Sequence, residues 1–180
     1  MLDIIKCDGD NMILNTSRLT IRNLQYDDWK KIKAIWEDFD NSPYAQYDVP
    51  HCNDDAQIQR LVEQFSESND FFIVILSATN EVIGTIDLHN TGNGYDIGYC
   101  FLSAYQGNGY AKESCSALID LYVKNGCKRF SAGTALKNTP SVNFLNALGF
   151  QLTDTEQVTF YKDKMGNDIY FEGGLFELLK

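Results

Sequence analysis

The stretch Tyr105-Gln-Gly-Asn-Gly-Tyr-Ala-Lys-Glu113 most constrains the fold, because it sets two glycines between a strand-like pattern and a helical one. Ahead of it, Tyr95-Asp-Ile-Gly-Tyr-Cys-Phe-Leu102 reads as a strand. Behind it, Ala111, Cys115, Leu118, Ile119 and Tyr122 line one side of a helix over residues 110–124 that Gly126 ends. Gly107 and Gly109 tolerate a left-handed backbone and carry no Cβ, so several N–H groups can converge on one point. Together with the positive end of the helix they make an anion site suited to a pyrophosphate. A simple turn is the alternative for this fragment alone. No Gly-Lys-Ser/Thr follows and no third glycine completes a Gly-x-Gly-x-x-Gly, so neither the nucleotide P-loop nor the dinucleotide fingerprint applies.

The rest of the chain reads as one series of elements. Arg18–Leu24 alternates, with Leu19, Ile21 and Asn23 on one face of a strand. Asp27 and Asp28 open a helix striped by Trp29, Ile32, Ile35, Trp36 and Phe39, and a second helix starts near Asn53 and Asp54. Trp29 and Trp36 are expected in the core. Phe71–Leu76 and Glu81–His89 form a hairpin, followed by the Tyr95–Leu102 strand. After the 110–124 helix come a strand over residues 127–135, a short helix from Pro140 to Leu148 closed by Gly149, and two strands rich in Phe and Tyr. A mixed α/β (α+β) sheet flanked by about four helices is the expected architecture.

At 180 residues the chain fits one domain, 1–180, with its core from about residue 14. Its 15 Lys+Arg against 25 Asp+Glu give a net charge of −10, which argues against nucleic acid, where clustered Lys and Arg must neutralise phosphates. A small cationic partner suits that balance better. The 5 cysteines are scattered without Cys-x-x-Cys pairs, and the 2 histidines do not cluster, so neither a disulfide framework nor a metal site is expected. The N-terminus lacks a basic, apolar leader and no run approaches a membrane span. A cytoplasmic protein without a membrane role is the expectation.

Several segments together carry a family resemblance. Gln106-Gly-Asn-Gly-Tyr-Ala111 resembles the Gln/Arg-x-x-Gly-x-Gly/Ala signature of the GCN5-related N-acetyltransferases (GNAT), and Asp96-Ile-Gly-Tyr-Cys-Phe-Leu102 is similar to the strand preceding it in the ribosomal-protein-alanine acetyltransferase (RimJ/RimL-like) branch. Asn138-Thr-Pro-Ser141 with Leu148-Gly-Phe150, Asn15-Thr-Ser-Arg-Leu-Thr-Ile-Arg22 and Gly84-Thr-Ile-Asp-Leu-His-Asn90 also look like that branch, in the same order. The resemblance implies a single-domain GNAT-like fold with a mostly antiparallel mixed sheet, in which the parallel strands 95–102 and 128–135 splay apart around the pantetheine arm of acetyl-coenzyme A.

The implied cofactor-binding residues are Cys100, Phe101 and Leu102 through their backbone, Gln106, Gly107, Asn108, Gly109, Tyr110 and Ala111 at the pyrophosphate, and Asn138 at the pantetheine. The implied reaction is acetyl transfer from the thioester to a primary amine: a protein N-terminus, an amino acid, a polyamine or an amino sugar. Attack needs a base, and Asp96 stands where the branch often carries Glu, as base or water organiser, with an acceptor-site anion or a structural partner as its other readings. The leaving thiolate needs an acid. Many relatives place a Tyr where this chain has Leu145, so Ser141 beside Asn138, or a water, is the implied substitute. The backbone N–H of Cys100 or Phe101 is the implied oxyanion donor. His89 on the neighbouring strand and Tyr47 on the loop between the first two helices are the further acceptor-side residues. That loop also carries Tyr44, Asp48 and His51, with Asp38, Asp40, Asp54 and Asp55 nearby, and a simple solvated loop is its other reading.

Helix capping is the plain reading of Asn138 and Thr139, with Pro140 in the first turn, and both roles are compatible. A non-catalytic acyl-coenzyme A binding module is the alternative function, suggested by the missing Tyr, and a different phosphate-ligand binder is a third. Relatives often pair through C-terminal strands, so a homodimer is among the partners the resemblance allows.

Overall fold

The computed structural model describes the backbone of residues 3–8 and 11–180 and the side chains from residue 12. Its elements run β1 (Asp3–Asp8), β2 (Asn11–Asn15), β3 (Leu19–Asn23), α1 (Trp29–Asp40), α2 (Asp55–Glu67), β4 (Phe71–Leu76), β5 (Glu81–Asn90), β6 (Tyr95–Phe101), α3 (Tyr110–Lys124), β7 (Arg129–Ala135), α4 (Thr139–Leu148), β8 (Gln151–Lys162) and β9 (Asp168–Leu179). These strands form one sheet of order β1-β2-β3-β4-β5-β6-β7-β9-β8, antiparallel except for the β6–β7 pair. The hairpin β1–β2 extends the sheet beyond the strand expected first. Its short polar-flanked runs give little periodic signal, and it is held as an edge by pairing with β3.

The sheet is covered on both faces. On one, Leu19, Ile21, Phe72, Val74, Ile97 and Phe130 pack beneath α3 and α4; on the other, Ile73 and Ile75 pack against Ile32, Trp36, Ile58 and Val62 of α1 and α2. This explains why β4 is a continuous apolar run: its residues Phe72–Ile75 are all buried, alternating between the two layers. Asn23 follows the alternation into the core because its Oδ1 accepts from Met12 N at 2.6 Å and its Nδ2 donates to Asn69 O at 2.9 Å. Asp28, at the head of α1, is likewise buried but held in a two-pronged bond by Arg22 at 2.8 and 2.9 Å. Trp36 is core and Trp29 packs beside it.

The parallel pair is short. β6 and β7 meet only at Tyr95↔Phe130 and Asp96↔Ser131, and past those residues each keeps just its outer neighbour, β5 or β9. The sheet thus opens in a V toward Phe101 and Ala135, with α3 and α4 starting at its mouth.

Candidate active site

A cleft of about 1050 Å³ occupies the V and passes through the sheet. Its lining includes Cys100, Phe101, Gln106, Gly107, Gly109, Tyr110, Ala111, Asn138 and Ser141, which the sequence places in three separate segments, and also Tyr47. Leu102, Asn108, His89 and Asp96 lie outside that lining. His89 is exposed on β5. The Asp96 carboxylate accepts from Ser131 Oγ at 2.6 Å, closing the V at its narrow end. Asn108 bonds its side chain back to the Tyr105 and Gln106 carbonyls and so shapes the loop.

The mouth of the cleft is an array of backbone donors. Gly107 has φ +76° and Gly109 φ +77°, the left-handed region that glycine alone enters freely, and no atom lies within 4 Å of where a Gly107 Cβ would stand. No side chain caps α3, so the N–H groups of its first turn face outward. A strut from β3 holds this loop. Arg18 donates from Nη1 to the Asn108 carbonyl at 3.1 Å and from Nε to Glu113 at 2.7 Å, and its guanidinium lies 4.5 Å over the Tyr110 ring. Glu113 also accepts from Thr16 and Ser17. Partial burial works against the Glu113 anion, but these hydrogen bonds outweigh it and hold its carboxyl below the usual range.

The edge of β6 supplies the next donors. Leu102 N bonds to Ile83 O at 3.0 Å, so the two-residue alternation turns the N–H of Cys100 and Leu102 toward β5 and those of Tyr99 and Phe101 toward the gap. Tyr99 and Phe101, rather than Cys100 and Leu102, therefore present their backbone to a ligand in the V. Gln106 Nε2 already occupies the Phe101 carbonyl at 2.9 Å. The Cys100 side chain still lines the cleft, with its thiol pushed up to about 12 by burial and by Asp38, Asp48 and Asp40, so it stays protonated.

On the α4 side, Tyr99 Oη and Ser141 Oγ share a 2.6 Å hydrogen bond, and the Tyr99 ring packs 4.4 Å from Phe144. Burial pushes the Tyr99 phenol well above its ordinary value, so it remains a proton donor. Asn138 caps α4 by accepting from Ser141 N at 3.3 Å, which leaves its Nδ2 for other partners. Leu145 is fully buried core and has no part in the cleft.

On the α1 side, Asp87 of β5 lies opposite Gly98 of β6, and a Cβ at residue 98 would collide with its carboxylate. Burial, reinforced by Asp96, pushes Asp87 up to about 6. This carboxylate and Tyr99 are the two functional candidates that motif reading missed. Asp87 is a lone acid in an otherwise apolar strand, Val82–Leu88, a pattern that signals a buried titratable group. The loop between α1 and α2 roofs this side. His51 Nδ1 bonds Asp40 at 2.8 Å and stacks on Trp36 at 5.0 Å, while Tyr161 donates to the Ala45 carbonyl at 3.0 Å, tying the roof to α1 and β8.

Residues 18–151 match the acetyltransferase (GNAT) domain family. The chain is 32% identical over 146 residues to the uncharacterized N-acetyltransferase p20 of Bacillus licheniformis, covering 77% of this chain and 82% of that one. It superposes on the GNAT-family acetyltransferase of Bacillus anthracis with a TM-score of 0.76 at 23% identity, covering 93% and 98% of the two chains. It is also similar in fold to RimL, the ribosomal L7/L12 alpha-N-protein acetyltransferase solved with coenzyme A, with a TM-score of 0.75 at 16% identity over 93% and 97% of the chains. Among the described residues, no helix is long and apolar enough to cross a membrane.

Proposed function

This chain belongs to the GNAT acetyltransferase family, and we propose that it is an acetyl-coenzyme A dependent N-acetyltransferase acting on a primary amine by direct attack in a ternary complex. The observation that carries this reading is the β6–β7 gap, which joins a backbone-lined anion site at its mouth to Tyr99 in its lining, with the Asp87 carboxylate set directly against Gly98 of that lining on the other face of the sheet. The residues present fit the donor. The open space at Gly107, the free N–H groups of the first α3 turn and Lys112 suit a pyrophosphate. The unpaired β6 edge at Tyr99 and Phe101, with Asn138 Nδ2 across the gap, suits the amides of a pantetheine arm.

When bound, acetyl-coenzyme A supplies a thioester carbonyl carbon open to a nucleophile. Asp87, ionised above about pH 6, takes a proton from the attacking amine directly or through one water. Asp96, beside it and hydrogen-bonded to Ser131, raises the proton affinity of Asp87 and orders that water. The N–H of Tyr99 or Phe101, turned into the gap, would stabilise the carbonyl oxygen as it gains charge. Tyr99, through Ser141 or directly, returns a proton to the leaving sulfur. Tyr47 belongs to the acceptor wall.

The deciding experiment pairs a melting curve with thiol release. Coenzyme A at 100 times its Kd is expected to stabilise the fold by about 2.7 kcal/mol, and acetyl-coenzyme A with a panel of primary amines is expected to release thiol. Stabilisation without release for every amine would overturn the enzyme and leave a binding module.

A further inference from the structure

The acceptor half of the cleft is lined by aromatic rings together with carboxylates. Tyr44 and Tyr47 hang from the α1–α2 loop, Phe39 ends α1, and Phe160 and Phe171 rise from β8 and β9. The rings are mutually held: Tyr47 meets Phe171 edge-on at 5.3 Å, and Phe160 tilts against Phe171 at 5.6 Å. The same lining carries three acids, Asp38, Asp48 and Glu156, of which Asp38 accepts from Ser103 N and Oγ. Among the described residues, the one Lys or Arg in the whole lining is Lys112, which belongs to the first turn of α3 at the opposite, donor end.

That composition chooses among amines. A polyamine is cationic along its length and needs carboxylates repeated along its path, whereas here the acids lie beside rings that favour an uncharged body. A free amino acid would bring its carboxylate among Asp38, Asp48 and Glu156 with no cation beside them. An ammonium, by contrast, gains from both the acids and the faces of the rings. We propose that the acceptor is a primary amine borne on an aromatic or bulky apolar body and lacking a carboxylate, of the arylalkylamine kind, with Tyr47 and Phe171 setting the preference. The inference rests on the acetyltransferase reading above. The bound ammonium first loses one proton to solvent to give the attacking amine; the transfer then forms the amide C–N bond and breaks the C–S bond, the sulfur departing with the bonding pair and taking a proton while the nitrogen gives up its second to the carboxylate side.

The test measures kcat/KM at saturating acetyl-coenzyme A for phenylethylamine, spermidine, phenylalanine and phenylalaninamide. Phenylethylamine is expected to exceed spermidine, and the amide to exceed the free amino acid, each by about 10-fold or more. Phe171→Ala is expected to raise the phenylethylamine KM by about 10-fold with the acetyl-coenzyme A KM unchanged. Tyr47→Ala, on the loop rather than the sheet, is expected to act in the same direction and serves if the strand variant does not fold. A preference for spermidine, equal use of phenylalanine and its amide, or indifference to both ring deletions would overturn the proposal while leaving the acetyltransferase standing. Absence of thiol release with every amine, while coenzyme A still raises the melting temperature, would overturn both.

Discussion

The two halves of the cleft are built in different ways. The donor half uses backbone: the Gly107–Gly109 turn, the open first turn of α3 and the unpaired edge of β6. The acceptor half uses side chains gathered from α1, its following loop, β8 and β9, with Asp87 of β5 behind Gly98. Backbone donors at a helix end can hold an anion in a chain of net charge −10 without a lysine cluster, so the surplus of acids can serve the other half. Binding of the donor and choice of acceptor are therefore separable, and substitutions in the two halves should divide accordingly.

The largest effect is expected from Gly109→Val. Its φ of +77° is a strained conformation for a branched residue, and the cost of about 1–3 kcal/mol falls on the loop proposed to hold the pyrophosphate. Calorimetry should show coenzyme A affinity falling by about 100-fold, equivalent to about 2.7 kcal/mol. Unchanged affinity would erase the distinction at its donor end.

Asp87→Asn probes the opposite half. A kcat/KM loss of about 100-fold at pH 8 is expected, together with disappearance of the rise in rate near pH 6, and with little change in coenzyme A affinity. Stability should move the other way. The folded chain raises Asp87 from 3.8 to about 6, so its protonated form is favoured by folding, and the benefit, present below about pH 4, is lost as pH climbs through 6. That rise corresponds to roughly 3 kcal/mol, so urea melts above pH 6 should find the Asn variant more stable than the parent. A less stable variant would mean that the carboxylate is held by a partner rather than stored at a cost.

Tyr99→Phe removes a hydroxyl bonded to Ser141 and is expected to lower kcat by about 10-fold with the acetyl-coenzyme A KM held, a modest loss because a thiolate leaves readily even unprotonated. The smallest change is expected from Arg18→Lys. It keeps the charge but loses the forked contact to Glu113 and the Asn108 carbonyl, so the acetyl-coenzyme A KM should rise about 5-fold with kcat unchanged. An effect of Arg18→Lys on the amine KM instead would show that the two halves communicate through the loop.

The donor half was legible in the residues because its determinants are contiguous. Glycines between a strand and a helix, an asparagine three residues ahead of a helical serine, and alternation along β3 each report a local conformation that short stretches impose by themselves. The edge hairpin β1–β2 was not, since short polar strands acquire their identity from the neighbour they pair with. Phase along β6 was equally out of reach: whether Cys100 or Phe101 turns its N–H to the gap depends on register against β5, which no window of sequence contains.

Sequence alone thus determined a mixed α/β sheet flanked by helices, the glycine turn at the head of a helix and the acetyltransferase likeness, because periodicity and backbone permissiveness are written residue by residue. Tertiary structure decided the rest. The roof over the acceptor rings, the partnership of Tyr99 with Ser141 across 42 positions and the raised Asp87 carboxylate arise only when distant segments exclude water from a shared space, and burial is a property of the fold rather than of any residue in it.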